Sequence, residues 1–202
     1  MAKESSPKKK SSREEKVELL PLIPKTMRIK VVGDTPLLSH NFGATAKQSI
    51  LDKQTHKAKL REKRNPKKEV EEATYFTEDG KDGFPASGFK KGMTEVAPYL
   101  PNLDKKKVRG SVQIVGNIVP LKYKSKVTNE STVRINRGLS GDIRFRPEYR
   151  EWSCELIIKF NESLISAEQI VNLLNYAGFH IGVGDWRPEK NGSFGMYHVE
   201  TA

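Results

Sequence analysis

Between residues 27 and 200 the hydrophobic period changes in a definite order, and that order most limits the fold. Met27 to Val32 alternates apolar and basic side chains at period two, which predicts a half-buried strand ending at the Gly33-Asp34 turn. Phe89, Met93, Val96 and Ala97 fall on one helical face, with Ser87 placed as N-cap, Lys90 and Lys91 in the first turn, and Pro98 as the stop. Ser111 to Val115 and Ile118 to Leu121 read as one strand interrupted at Gly116-Asn117, and Trp152 to Phe160 as another. Ser166-Ala167-Glu168-Gln169 forms a capping box. Behind it Ile170, Leu173, Leu174 and Ala177 recur at helical spacing, with Gly178 as the expected stop. A last strand runs from Phe194 to Glu200. The order strand (27–32), helix (87–97), strand (111–121), strand (152–160), helix (166–177), strand (194–200) is a βαββαβ succession. It predicts an α+β, ferredoxin-like (RRM-like) core: an antiparallel four-stranded sheet with both helices on one face and the other face free.

Two segments stand outside this order, and both are basic. Residues 44–76 predict a helical insertion, a helix from Ala44 to Arg64 stopped by Asn65-Pro66. From Lys47 to Lys68 it carries nine cations against Asp52 and Glu62, which reads equally as a solvated face or as a phosphate contact. Residues 122–146 hold Lys122, Lys124, Lys126, Arg134, Arg137, Arg144 and Arg146 against Glu130 and Asp142, with few apolar side chains, which predicts a projecting basic β-hairpin. Residues 1–18 are Lys, Ser and Glu with almost nothing to bury, so a disordered basic tail precedes one domain over 19–202. Leu19-Leu20-Pro21-Leu22-Ile23-Pro24 reads as an extended apolar strip for its own domain or a neighbouring copy.

The net charge of +11 over 202 residues favours a polyanionic partner, nucleic acid ahead of a membrane. No segment reaches the eighteen apolar residues a span needs, and no apolar run follows Lys8 to Lys10 as a leader would require. A cytoplasmic protein is expected. Cys154 is the single cysteine and lies in an apolar run, so no intrachain disulfide is possible and a core position is expected. Four scattered histidines lack ligand spacing, so neither metal nor cofactor is expected.

Five of the fifteen glycines fall between Ala177 and Val199. Glycine admits close backbone approach and offers bare N–H groups, which suits a phosphate, and the same stretch also reads as a structural loop. Of the aromatics that could stack bases (Trp186, Phe194, Tyr197, Tyr123 and Tyr149), Phe194 and Tyr197 suit packing, which leaves Trp186 as the main candidate. His180 and His198 read as structural or as occasional stacking groups.

Three motifs in order resemble the RAMP superfamily, the repeat-associated proteins that form the guide-RNA backbone of CRISPR effector complexes. Gly33-Asp34-Thr35-Pro36-Leu37 is similar to the family's turn after its opening strand. Phe84-Pro85-Ala86-Ser87-Gly88-Phe89-Lys90-Lys91-Gly92-Met93 resembles the start of its first helix, whose lysine lies by the RNA backbone. Gly182-Val183-Gly184 through Gly192-Ser193-Phe194-Gly195 resembles its glycine-rich loop, though the Asp185-Trp186-Arg187-Pro188-Glu189 insert is no part of the likeness. The resemblance implies a non-catalytic binder of single-stranded nucleic acid, RNA favoured, that assembles in copies or with related subunits along the strand. With the basic segments it nominates Lys47, Lys53, Lys57, Lys90, Lys91, Lys122, Lys124, Arg134, Arg137, Gly182, Gly184, Trp186, Arg187, Lys190, Gly192 and Ser193 as contacts. Some members cut RNA. That implies Asp34 or Asp52 for target cleavage and His40 or His56 for guide cleavage, with histidine suited to both proton transfers near neutral pH. A self-assembling structural protein whose basic surface neutralises nucleic acid is the third reading.

Overall fold

The computed structural model describes residues 22–55, 64–135 and 140–200. The tail 1–18, Leu19 to Pro21, His56, Lys57 and Arg137 lie outside the described residues, as do the side chains of Lys53 and Arg134.

β1 (Pro24–Gly33), β9 (Ser153–Asn161) and β10 (Tyr197–Glu200) lie side by side in an antiparallel sheet, with β1 between the other two and β10 at the edge. On the far side of β9, the predicted 111–121 strand is divided as expected. β5 (Val112–Ile114) and β6 (Ile118–Lys122) both pair with β9, on either side of Gly116 at φ +87°. The spatial order is fourth, first, third, second, the ferredoxin-like arrangement. A small hairpin of β3 (Tyr75–Phe76) and β4 (Asp82–Pro85) extends the sheet beyond β6.

Register decides what is buried. Val31 lies opposite both Cys154 and Val199, so inward residues of three strands share one row. Ile29, Val31, Leu156, Ile158 and Val199 meet Phe89, Met93 and Val96 of α3 (Ala86–Val96) and Ile170, Leu173, Leu174 and Ala177 of α5 (Ala167–His180). Each such aliphatic or aromatic side chain contributes roughly 1.5–3 kcal/mol by leaving water. Burial pushes the Cys154 thiol up to about 12, as a core position requires. The outward residues of β1, β9 and β10 include Arg28, Lys30, Glu155, Lys159, His198 and Glu200, with no Phe, Tyr or Trp among them. The open face therefore offers on these strands a single ring, the His198 imidazole, which Asp34 engages.

Several local expectations are corrected. Gly178 does not stop its helix, which runs on to His180. A Cβ at Gly178 would sit 1.8 Å from the Tyr197 carbonyl oxygen, so glycine is there to let α5 lie against β10. The stop is Gly182, at φ +67°, whose N–H reaches back to the Ala177 carbonyl at 2.8 Å. Ser87 is not an N-cap: Pro85 holds that position without a side-chain bond, which moves Lys90 and Lys91 into the second turn. Asn65-Pro66 starts a helix, α2 (Pro66–Glu72), whose Lys67 and Lys68 N–H groups donate to the Asn65 side chain at 3.1 and 3.3 Å. It follows α1 (Ala44–Gln54). A further helix, α4 (Lys105–Ser111), capped by Asp104, takes in Ser111, so the expected strand starts one residue later, at Val112.

The basic hairpin runs from 125 to 150 rather than 122 to 146, and Lys122 belongs to β6. β7 (Ser125–Ile135) and β8 (Ser140–Arg150) pair over their full length, and β2 (Leu37–Leu38) joins β8 to make a second sheet. Its base is not free: Arg146, Glu148 and Tyr149 are buried.

Candidate functional site

A cleft of about 240 Å³ opens where the start of α3 meets the loop after α5. Ser87, Gly88 and Lys91 form one wall, Gly182, Val183, Gly184 and Arg187 the other, with His40, Tyr75 and Asp185 at one end. Two segments ninety residues apart in sequence are thereby brought together, as α3 and α5 pack side by side.

The loop is held mostly by itself. The Val183 N–H donates to Gly195 at 2.9 Å, Gly195 to Pro36 at 2.8 Å and Phe194 to Trp186 at 3.0 Å. Gly182 and Gly192 direct their N–H groups to Ala177 and Arg187, so the bare donors expected of them are engaged inside the loop. Gly184 differs: its φ is +79°, a Cβ would sit 2.4 Å from the Leu38 carbonyl oxygen, and its N–H donates to no group among the described residues. Lys190, Gly192 and Ser193 do not line the cleft.

The insert contributes the polar centre. Asp185 Oδ2 accepts a 2.5 Å bond from Arg146 Nη1, and His40 Nδ1 lies 3.1 Å from the same oxygen. The Arg146 side chain is only 2% exposed and its other Nη donates to the Ser131 hydroxyl. Burial pushes the Asp185 carboxyl up, but hydrogen bonds from His40 and Arg146 and their charges more than offset this and hold it below the usual carboxylate range. Arg187 does not pair with Asp185. It donates to the Gly184 carbonyl at 2.9 Å and to Glu189 at 2.9 Å. Trp186 adopts φ +52° and stays 45% exposed, available for stacking.

The adjacent lysines separate around the helix. Lys91 faces the cleft, whereas Lys90 donates to Gln113 at 2.9 Å on the other flank, where burial and the nearby Arg109 charge lower its pKa. Lys122 lies on the open face opposite Ser153, Lys124 pairs with Glu151 at 2.7 Å, and Lys47 is exposed on α1. None of these three lines the cleft. Asp34 lies outside it too, with Oδ1 2.6 Å from His198 Nδ1. Asp52 accepts from Gln48 at 2.8 Å. Among the described residues no group of three or more His, Cys, Asp or Glu could hold a metal ion. Of the candidate stacking rings, Tyr149 and Tyr197 are buried. Tyr123 is partly exposed, its hydroxyl donating to Asp82 at 2.8 Å.

Sequence reasoning missed a second aromatic group. Tyr176, Phe179 and His180, on the side of α5 away from its core stripe, gather with Tyr99. The signal was present, since Tyr176 and His180 are four residues apart and fall outside the Ile170-Leu173-Leu174-Ala177 stripe.

No family model and no curated protein matches this sequence. Among solved structures, a chain of the Type III-B Cmr-beta complex bound to cognate target RNA matches with a TM-score of 0.56 at 10% identity, over 88% of this chain. This chain spans 59% of the length of the chain it matches. A Cas6 product complex matches at 9% identity over 86% of this chain and 50% of its own, but its TM-score of 0.32 carries no argument. The first likeness is one of fold.

Proposed function

We propose that this chain, sharing its fold with a chain of a complex bound to target RNA, binds single-stranded nucleic acid, RNA favoured, without cutting it, and lines up in copies along the strand. The observation that carries this reading is the convergence of Lys91, the first turn of α3 and the Gly182–Gly184 backbone on one cleft. A cation, a helix N-terminus and a close-approach glycine suit a phosphate together, and the +11 net charge draws the strand in. Trp186 beside the cleft supplies a ring for a base. Filter binding of an oligoribonucleotide across a salt series tests the reading: affinity must fall with salt by about 0.7 logarithmic units per phosphate contact. Affinity that ignored salt would refute it. Light scattering tests assembly, which must require the strand; assembly without nucleic acid would favour a self-assembling structural protein.

One observation favours a second reading, a ribonuclease. His40 lines the cleft with Nδ1 held by Asp185, which leaves Nε2 to take the proton of a ribose 2′-hydroxyl. Incubating labelled RNA with the wild type and with His40→Ala separates the readings: cleavage lost in the variant supports the nuclease, and intact RNA in both supports binding alone.

A further inference from the structure

Beside the cleft, four rings stand together in solvent. His180 is the centre: Tyr99 meets it edge-on at 5.5 Å, Phe179 at 5.1 Å and Tyr176 at a tilt at 5.7 Å. Phe179 is 65% exposed, Tyr99 59% and Tyr176 40%. None belongs to the core cluster, so packing does not account for them. Exposed large aromatics grouped in this way mark a surface that takes a partner.

The position of the group indicates which partner. Ile181 and Gly182, directly after His180, line the cleft, so the rings begin where the cleft ends. On the opposite helix Lys91 and Glu95 are four residues apart, and Tyr99 follows four residues later in the 3-10 turn Ala97–Tyr99 that continues α3, joining the cleft to the rings along one side. Glu95 is the one acid of that path, and the charges of Lys105, Lys91 and Arg109 all act on it, leaving the surface net positive. An apolar protein partner has no use for that charge; a polyanion with flat bases matches both features.

We infer that Tyr99, Tyr176, Phe179 and His180 form a base-stacking platform for nucleotides of a single strand whose backbone runs through the cleft past Lys91. This rests on the binding function proposed above and adds where the bases go. On β1, β9 and β10 the open sheet face carries a single ring, the His198 imidazole engaged by Asp34, so the larger grouping of rings on the helical side takes the bases. Stacking is tolerant of sequence, because every base presents a π face.

The test uses the full chain with two fluorescein-labelled probes of equal length, an oligouridylate and an abasic strand with the same phosphates. Phe179→Ala and Tyr99→Ala remove exposed rings and leave the core intact. Each is expected to weaken oligouridylate binding about 5- to 100-fold. Affinity for the abasic strand and the slope against salt must stay unchanged. Equal losses on both probes, or wild-type affinity for oligouridylate, would overturn the platform while the binding function stands. A variant that alters the oligomeric state without nucleic acid would overturn it in favour of a protein interface. Wild-type protein that binds neither probe overturns both readings.

Discussion

Arg146 and Asp185 meet at 2.5 Å, joining the base of the long hairpin to the loop that walls the cleft. The guanidinium is buried and the carboxylate is partly exposed, 2% against 36%. A lone buried cation costs several kcal/mol, so the contact ties the second sheet to the core. It also aims His40, which shares the same oxygen.

Asp185→Asn keeps the shape and removes the charge. Because the carboxylate is over a third exposed, the loss should fall below the 3–5 kcal/mol of a fully buried pair, at about 1–3 kcal/mol. Thermal unfolding should show Tm lower by several degrees; an unchanged Tm would mean the pair is not structural.

The same pair sets an acid dependence. The Asp185 carboxyl is held below its usual 3.8, so it binds a proton less readily folded than unfolded. Its stabilisation is therefore complete above that value and is lost as pH falls through the lower folded one. Urea titrations at pH 7 and pH 3 should show the gap between wild type and Asp185→Asn narrowing at the lower pH.

Gly178→Ala tests the close approach of α5 to β10. Were Gly178 a plain helical residue, alanine there would stabilise by about 1 kcal/mol. With a Cβ 1.8 Å from the Tyr197 carbonyl oxygen, the substitution should instead cost about 1–3 kcal/mol or more by urea unfolding.

Lys91→Ala and Lys90→Ala should differ although the residues are adjacent. Lys91 faces the cleft and Lys90 is engaged by Gln113. Removing Lys91 should lower the salt slope of RNA binding by about 0.7, and removing Lys90 should change it by less. Equal slopes in the two variants would count against the cleft as the phosphate path.

Much of the core was legible because it repeats locally. The Ser166 capping box is present in both directions, with the Gln169 N–H donating to Ser166 at 3.2 Å and the Ser166 N–H to Gln169 at 3.0 Å. The stripe from Ile170 to Ala177 is fully buried. Errors arose where one local sign has two causes. A glycine after an apolar stripe looks like a stop, and at Gly178 the cause was a strand nineteen residues further on. Asn-Pro marks both ends and starts, and at Asn65 it caps the next helix.

The alternation of strand and helix and the rows of the core can be read from the sequence alone. Those follow from hydrophobic period and element order, properties that neighbours in the chain carry together. Tertiary structure alone decided which polar groups face one another. Asp185 is 145 residues from His40 and 39 from Arg146, and Tyr99 lies far along the chain from Phe179. Such contacts depend on how packed elements are placed in space. A charged or aromatic residue on an exposed turn carries no local mark of the partner it will meet.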